Sequence, residues 1–151
     1  MVAYQTKTFP ELTTHELWAL YRLRTAVFVV EQTCYYQEVD DADLTATHLL
    51  GTDDQGQLVA YARLIPEQNH VRIGRVVVAK AARGNGAGRE LVTTAIAAAK
   101  AHFPQATQID IQAQAYLQSF YETFGFQPVS DVYLETGIPH LDMVLPLTQQ
   151  D

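Results

Sequence analysis

A glycine-rich hexapeptide in the middle of the chain, Arg-Gly-Asn-Gly-Ala-Gly at residues 83–88, restricts the fold most strongly. The residues before it, 75–79, form a β-branched run that is typical of a buried strand. Residues 89–100 after it contain neither Gly nor Pro and are rich in alanine, which favours a helix. A glycine turn between a strand and a helix N-terminus presents converging backbone N–H groups to an anion. The segment therefore predicts a phosphate or pyrophosphate site, with a merely flexible turn as the alternative.

The spacing of the glycines distinguishes between phosphate-binding motifs. A Walker loop requires Lys followed by Ser or Thr after the last glycine, whereas Arg and Glu follow here. A dinucleotide fingerprint that began at Gly84 would need glycine at position 89, and one that began at Gly86 would need it at position 91; neither position is glycine. The pattern that fits is Arg-x-x-Gly-x-Gly, formed by Arg83, Gly86 and Gly88.

This pattern resembles the acetyl-CoA signature of the GNAT N-acetyltransferase superfamily. The resemblance implies that acetyl-CoA is the cosubstrate and that the loop binds its pyrophosphate. The residues assigned to this role are Arg83, Gly84, Asn85, Gly86, Ala87 and Gly88. It also implies a bulge in the preceding strand that frees a main-chain amide for the thioester carbonyl. By position this amide belongs to Val78, with Val76 next in line on the strand.

A second segment, residues 116–126, resembles the helix, tyrosine and Gly-Phe turn that close the GNAT core. Its apolar side chains recur at steps of three and four residues, and Gly125 stands where a helix C-cap is expected. In the family, a tyrosine at the position of Tyr121 protonates the departing CoA thiolate, a role that suits the acidity of a phenol. Core packing is the alternative for Tyr121. Gln114 stands where many members have an asparagine that contacts the pantetheine arm, and it offers the same donor and acceptor on a longer stem.

The N-terminal third narrows the resemblance to the ElaA-like branch of the superfamily. The residues that carry it are 20–32, 35–43, His48, Leu49 and the Gly-Ile-Pro-His run at 137–140. The resemblance covers nearly the whole chain. It implies an α/β (α+β) GNAT fold, with a mixed, mostly antiparallel, splayed sheet flanked by helices. We expect one domain over residues 1–151, in the order β-α-β-β-β-α-β-α-β-β.

Local patterns predict the bounds of these elements. Thr13 and Glu16 form a capping box that begins a helix, which continues to about Val30. Residues 31–45 are polar, acidic and aromatic, so a loop or a short irregular helix is expected there. A second long helix is predicted over 87–102. Strands are predicted over 2–9, 47–51, 57–66, 71–79, 108–112, 126–133 and 141–147.

Acetyl transfer to an amine needs a neutral amine, a stabilised carbonyl oxygen and a protonated leaving thiolate. The base for the amine stays open among the acids and histidines on the expected acceptor side: Glu31, Glu38, Asp40, Asp41, Asp43, His48 and His140. We single out Glu38 and His140, since carboxylates can relay a proton through water and histidine titrates near neutral pH. The acidic run at 38–43 favours a small cationic amine as acceptor, with a solvated loop as the alternative. A protein N-terminus or lysine as the acceptor also stays open.

Composition limits the classes of function. Hydrophobic residues make up 48% of the chain and charged residues 18%, which excludes a disordered chain. The net charge of −7 argues against nucleic acid and anionic membrane as partners. The five histidines are scattered and there is one cysteine, so neither a metal site nor a disulfide framework is expected. No apolar run is long enough for a membrane span or a signal peptide, and we expect a cytoplasmic protein.

These observations predict an N-acetyltransferase that transfers an acetyl group from acetyl-CoA directly to a primary amine. One alternative is a non-catalytic acyl-CoA-binding sensor or interaction module of the same fold. Another is an acyltransferase that uses a longer acyl-CoA. A homodimer is possible, since sheet edges or the adjacent Tyr35 and Tyr36 could mediate contact between two copies.

Overall fold

An open sheet with helices on both faces forms the framework, and the computed structural model describes residues 1–148. The strands are β1 (Ala3–Thr8), β2 (Thr47–Thr52), β3 (Leu58–Glu67), β4 (His70–Val78), β5 (Gln108–Gln114), β6 (Gln127–Pro128), β7 (Tyr133–Glu135) and β8 (Ile138–Pro146). The helices are α1 (Thr14–Arg24), which continues as a π-helix over Thr25–Glu31, α2 (Ala42–Thr45), α3 (Ala87–His102) and α4 (Gln118–Glu122). The order of elements matches the expectation, with α2 and β7 as additional short elements.

The sheet changes character between β4 and β5. Strands β1 to β4 form an antiparallel meander, and β5 pairs antiparallel with β8. Between these two halves, β4 and β5 run parallel and are paired only at residues 70–72 with 108–110. Beyond Arg72 the two strands separate, so the sheet opens at their C-terminal ends. The predicted fold class, a mixed and mostly antiparallel splayed sheet, is confirmed.

Two apolar clusters cover the two faces of the sheet. On one face, α3 buries side chains at helical spacing, namely Leu91, Val92, Ala95 and Ala99, against the even-numbered residues of β3. On the other face, Leu20 and Leu23 of α1 pack with Tyr61 of β3 and Leu50 of β2. Alternation along β3 thus supplies both clusters, because successive strand residues point to opposite faces. Among residues 1–148, no helix combines the length and apolarity that a membrane span requires.

Local expectations differ from the structure at three places: the first helix becomes a π-helix after Arg24, β8 begins at Ile138 rather than Leu141, and one predicted strand is broken. The capping box at the start of α1 is confirmed: the Glu16 amide donates to Thr13 Oγ1 at 3.0 Å, and the Thr13 amide donates to Glu16 Oε1 at 2.9 Å. The single strand predicted over residues 126–133 is wrong, because it breaks into β6 and β7. Ser130 lies in the break, where its side-chain oxygen accepts the amide of Asp142 at 2.9 Å in place of a main-chain partner.

Candidate active site

The opening between β4 and β5 is a cavity of about 440 Å³. Its walls come from β4, β5, the π-helix and the start of β8. The predicted site residues that line it are Val76, Val78, Arg83, Gln114, Tyr121 and His140. The rest of the glycine loop, residues 84–88, follows Arg83 directly. Glu38 is not among the lining side chains.

The glycine loop has the shape of an anion site. Gly84 (φ 98°) and Gly86 (φ 82°) both adopt the left-handed conformation that glycine tolerates and other residues avoid. The first hydrogen bond inside α3 runs from the Glu90 amide to Gly86 O at 3.0 Å. The amides of residues 87–89 come before it and have no acceptor within the helix. A Cβ atom built on Gly84, Gly86 or Gly88 would meet nothing within 4 Å, so the space above the loop is open.

The arginines near this loop are held by other groups. Arg83 forms a bidentate ion pair with Glu31 at 2.7 and 2.9 Å, and its Nε donates to Val78 O at 3.0 Å. Arg89 turns away toward α4, where its guanidinium lies 4.7 Å from the ring centre of Phe124. In this structure the loop therefore presents mainly its amides and the positive end of the α3 dipole to an anion.

The last turn of the π-helix reaches across the cleft at two successive residues. Glu31 contacts Arg83 of the glycine loop, and Gln32 accepts a hydrogen bond from Gln114 Nε2 at 3.3 Å at the end of β5. Arg83 and Gln114 are the side chains that we assigned to the pyrophosphate and the pantetheine arm. Each must exchange its present partner for a ligand if it is to take that role.

Strand β4 contains a bulge in the wall of the cavity. Tyr61 of β3 pairs with Val77, but Arg63, two residues on, pairs with Gly74, so β4 has one residue more than β3. Arg75 lies at the bulge with φ of 49°, a left-handed conformation that is rare for a residue with a side chain. The bulge lies two to three residues before Val78, whose amide was our first assignment for the contact with the thioester carbonyl.

The hydrogen-bond pattern shows where the amides after the bulge point. The Ala79 amide donates to Val59 O at 2.8 Å, so these two residues form a hydrogen-bonded pair of the ladder. Ala60 and Val78 are then a non-hydrogen-bonded pair, and the Val78 amide points away from β3 into the opening. The side chains of Val76 and Val78 pack against the same apolar cluster, so the chain is extended between them and the Val76 amide points the same way. Two parallel N–H groups on β4 thus face the cleft.

Tyr121 lies in the cleft with only 7% of its surface exposed. Its ring packs edge-on against Phe120 and Phe126, with centroids 5.2 and 5.8 Å away. Burial, together with the nearby Tyr116, raises the pKa of Tyr121 to about 12. The phenol is therefore protonated at neutral pH, and no hydrogen bond to its hydroxyl is found within residues 1–148.

His140 begins the part of β8 that pairs with the end of β5, directly opposite Gln114. Its Nδ1 lies 2.7 Å from Ile138 O, an arrangement in which Nδ1–H donates and Nε2 of the neutral ring is left as an acceptor. Its ring stacks on Tyr133 with centroids 6.4 Å apart. His140 lines the cavity, and its role as the base stays a prediction.

A largely buried cluster of three arginines and three carboxylates lies at the wall of the cleft. We call it the charge cluster; its members are Arg24, Arg63, Arg75, Glu38, Asp40 and Asp43. Arg24 bonds Glu38 at 2.6 Å and Asp43 at 2.7 Å, and Arg63 bonds Asp40 at 2.6 Å. The formal charges of the cluster cancel, so its carboxylates keep little net charge to attract a cationic amine. The interpretation of the run as a solvated loop is wrong for Glu38 and Asp43, which are buried.

Glu38 is placed poorly for proton transfer to a substrate. It is 5% exposed, and its carboxylate lies 2.6 Å from Arg24 Nε and 3.1 Å from Arg75 Nε. The carboxylate is paired with two guanidinium groups and does not line the cavity. The structure therefore does not support Glu38 as the base. Of the other candidates, His140 and Glu31 line the cavity, and Glu31 is bound to Arg83.

His48 belongs to the support of the charge cluster. It is fully buried; its Nε2–H donates to Asp43 O at 2.9 Å, and its Nδ1 accepts the Tyr61 hydroxyl at 2.6 Å. Burial lowers the pKa of His48, although the backbone bond and the charge of Asp43 oppose the effect. A neutral His48 therefore fixes Asp43 and Tyr61 and has no access to the cleft. Within residues 1–148, no group of three or more His, Cys, Asp or Glu side chains is arranged to hold a metal ion.

Comparison with known protein families shows which family this chain belongs to. A family model described as an acetyltransferase (GNAT) domain matches residues 10–147. The chain belongs to the GNAT acetyltransferase family. A UPF0039 protein of Schizosaccharomyces pombe is 50% identical over 142 residues, which cover 93% of this chain and 95% of that protein.

Solved structures give the same result. An acyl-CoA N-acyltransferase from Pseudomonas aeruginosa shares 45% of its sequence with this chain and superposes with a TM-score of 0.89, over 96% of this chain and 99% of that one. Escherichia coli ElaA superposes with the same TM-score of 0.89 at 43% identity, over 95% of this chain and 99% of that one. The resemblance to the ElaA-like branch is therefore confirmed.

Sequence analysis did not find the basic side chains of the cavity wall. Arg63, Arg72 and Arg75 all line the cavity, although they lie in strands that are otherwise apolar. One signal was present: Gly74 stands alone inside a strand pattern, and an isolated glycine there indicates a bulge. The bulge in turn brings Arg75 to the cavity.

The neutral state of His48 predicts a dependence of stability on pH. The pKa of His48 is lower in the folded protein than in the unfolded chain. As the pH falls below about 6.5, the unfolded chain therefore binds a proton at this histidine before the folded protein does. The stability that this site contributes is complete above that pH and is lost below it, with a slope of at most about 1.4 kcal/mol per pH unit. We expect His48→Gln, whose amide can replace both hydrogen bonds, to lose less stability between pH 7 and pH 5 than the wild type.

Urea unfolding at the two pH values measures this difference. His15→Gln is the control, since His15 is an exposed histidine on α1 and its removal should leave the slope unchanged. Equal slopes in the wild type and His48→Gln would contradict the assignment.

Proposed function

We propose that this protein transfers an acetyl group from acetyl-CoA directly to the primary amine of a small molecule. The observation that carries the proposal is the cleft that joins Arg83, at the start of the glycine loop, with the bulged strand β4 and the protonated Tyr121. Membership of the GNAT family and the likeness to an acyl-CoA N-acyltransferase support acyl transfer as the reaction class.

The cosubstrate would lie along β4. Its pyrophosphate would bind the amides of residues 84–88, which lie at the positive end of the α3 dipole. Its pantetheine arm would follow β4 like an added strand, with the Val78 amide and Gln114 as polar contacts. The thioester carbonyl would then reach the Val76 amide beside the bulge. This order assigns the carbonyl to Val76 and the arm to Val78, since the bulge lies next to Val76.

The chemistry follows from these positions. The neutral amine attacks the thioester carbon, a C–N bond forms, and the carbonyl oxygen takes up negative charge beside the Val76 amide. The C–S bond then breaks, and Tyr121 donates its proton to the CoA thiolate. The proton lost by the amine passes to Nε2 of His140, directly or through water, and the tyrosine recovers its proton from solvent. The products are the N-acetylated amine and free CoA.

The size of the cavity favours a small acceptor. About 440 Å³ must hold the thioester end of the cosubstrate as well as the acceptor, which leaves room for a molecule of modest size. The acids of residues 38–43 no longer argue for a cationic acceptor, because the charge cluster neutralises most of them. Volume, rather than the charge of this run, supports the choice of a small amine.

Gly86→Asp should abolish or strongly weaken binding of acetyl-CoA. The change places a carboxylate beside the proposed pyrophosphate and strains a left-handed position with φ of 82°. Gly56→Asp is the matched control, since Gly56 lies in the β2–β3 turn with φ of 77° and open space around it. Calorimetric titration of both variants with acetyl-CoA measures the difference in affinity, and titrations with NAD and ATP serve as controls. Equal affinity in Gly86→Asp and Gly56→Asp would refute the loop assignment.

Tyr121→Phe should lower turnover while the affinity for acetyl-CoA is nearly retained. The substitution removes the proton donor but keeps the aromatic packing on Phe120 and Phe126, so we expect a loss of about 10²–10⁴ in kcat. Release of the CoA thiol, followed across a panel of amines, supplies the rate. Unchanged turnover would show that the phenol is not the acid. Binding of acetyl-CoA by the wild type without turnover of any amine would favour a non-catalytic module.

His140→Gln should lower kcat/KM for the amine and remove an inflection from its pH profile. The glutamine cannot carry the amine proton, although it retains a polar side chain at the cavity wall. His102→Gln at the exposed end of α3 controls for the loss of a histidine elsewhere. A pH profile of His140→Gln that coincides with that of the wild type would exclude His140 as the base.

A further inference from the structure

We propose that Arg75 is a positioning residue, which holds the bulge of β4 in the form that aims the Val76 amide at the thioester carbonyl. The inference rests on the proposed function. It assigns to Arg75 no contact with the reacting atoms; its effect passes through the backbone of the next residue.

The backbone at Arg75 needs support from elsewhere in the fold. Its φ of 49° lies in the left-handed region, which disfavours residues with a Cβ and is unusual inside a strand. The conformation is at the point where β4 gains its extra residue, between the pairs Arg63–Gly74 and Tyr61–Val77. If this residue returned to an extended conformation, the ladder would shift and the amides after it would change direction.

The side chain of Arg75 supplies that support. Its Nη2 donates to Glu38 O at 2.8 Å and lies 3.5 Å from Asp40 Oδ2, and its Nε lies 3.1 Å from Glu38 Oε1. Its guanidinium also lies 5.3 Å from the ring centre of Tyr36. These contacts all come from one short segment, residues 36–40, that faces β4.

The groups that Arg75 contacts are themselves held in place by other hydrogen bonds. Glu38 O also accepts a bond from Arg24 Nη2 at 3.1 Å, which ties the segment to α1. Asp40 is held by two bonds from Arg63, at 2.6 and 3.0 Å. Arg63 lies on β3 directly opposite Gly74, so the contacts form a closed circuit from β3 through the 36–40 segment to the bulge and back. The bulge cannot relax without breaking this circuit.

The same circuit connects the acceptor side of the cleft with the side that would bind the thioester. Tyr36, which stacks near Arg75, lines the cavity together with Arg63 and Arg75. The wall that an acceptor would meet and the amide that the thioester would meet therefore depend on one guanidinium group. Arg75 acts on the reaction through geometry, because its positive charge is already paired with Glu38 and Asp40.

Isotope-edited infrared spectroscopy of bound acetyl-CoA, labelled with ¹³C at the thioester carbonyl, tests the inference without knowledge of the acceptor. A hydrogen bond from the Val76 amide lowers the carbonyl stretching frequency, and the ratio of the affinities for acetyl-CoA and CoA reports the same contact. Three variants are compared with the wild type. Arg75→Val opposes the left-handed conformation, Arg75→Gly accepts it without the guanidinium, and Arg72→Ala removes a neighbouring cavity arginine at a regularly paired position of β4.

We expect the band shift in the wild type, in Arg72→Ala and, for the greater part, in Arg75→Gly. In Arg75→Val we expect its loss, with a fall of about tenfold in the preference for acetyl-CoA over CoA and unchanged affinity for CoA itself. Circular dichroism and the CoA affinity verify that each variant is folded. If Arg75→Val does not fold, the comparison of Arg75→Gly with Arg72→Ala decides. A shift in Arg75→Gly as large as that in Arg72→Ala would overturn the inference, because the guanidinium would then be dispensable.

A shift retained in full by Arg75→Val would overturn the inference. A wild-type protein that binds acetyl-CoA without any band shift would overturn it as well, while leaving the cofactor assignment in place. Absence of acetyl-CoA binding in the wild type would overturn both the inference and the proposed function.

Discussion

The charge cluster is the interaction on which the shape of the cleft depends. It joins α1 through Arg24, the segment before β2 through its three carboxylates, β3 through Arg63 and β4 through Arg75. Burial of so many charges costs free energy, which the pairing must offset. Burial alone would raise the pKa of Asp43, but the hydrogen bonds and charges of Arg24 and Arg63 outweigh it and hold the pKa below its usual value. Removal of one partner would leave a buried charge unpaired, which typically costs about 3–5 kcal/mol. The cluster therefore specifies one arrangement of these elements.

The bulge in β4 determines which face of the strand is buried and leaves its main chain open to the cleft. Before it, Val71 and Ile73 of β4 belong to the apolar cluster beneath α3. After it, Val76 and Val78 pack against that cluster, and Val77 joins the cluster beneath α1. One extra residue thus exchanges the two faces of the strand, because side chains alternate with a period of two. The apolar side chains remain covered on both sides of the exchange, while the main chain between β4 and β5 is left without a strand partner.

The sequence allowed the local features to be predicted and concealed the long-range ones. Helix α3 begins and ends at the predicted residues, Ala87 and His102, because its glycine start and alanine content are local signals. The charge cluster joins residues that lie up to 37 positions apart, and each of its acids alone is typical of a solvated loop. The π-helix after α1 shares the apolar pattern of an ordinary α-helix, so its wider turn could not be predicted from the sequence. The break at Ser130 depends on one side-chain bond to a distant strand.

The pairing of charges also explains how an acidic protein can offer a site for an anion. The net charge is −7, yet the cleft has few free carboxylates, since Glu31 is bound to Arg83 and the acids of the charge cluster are bound to arginines. Arg83 and Arg89 are engaged as well, so neither contributes a free cation at the glycine loop. In the proposed function, the attraction for a pyrophosphate would come mainly from oriented N–H groups and the dipole of α3, which act at short range and only where the backbone points. Such a site depends on the conformations of Gly84 and Gly86 more than on the total charge of the chain. An anion that does not fit the curve of the loop gains little from it, and the acidic surface beyond repels it.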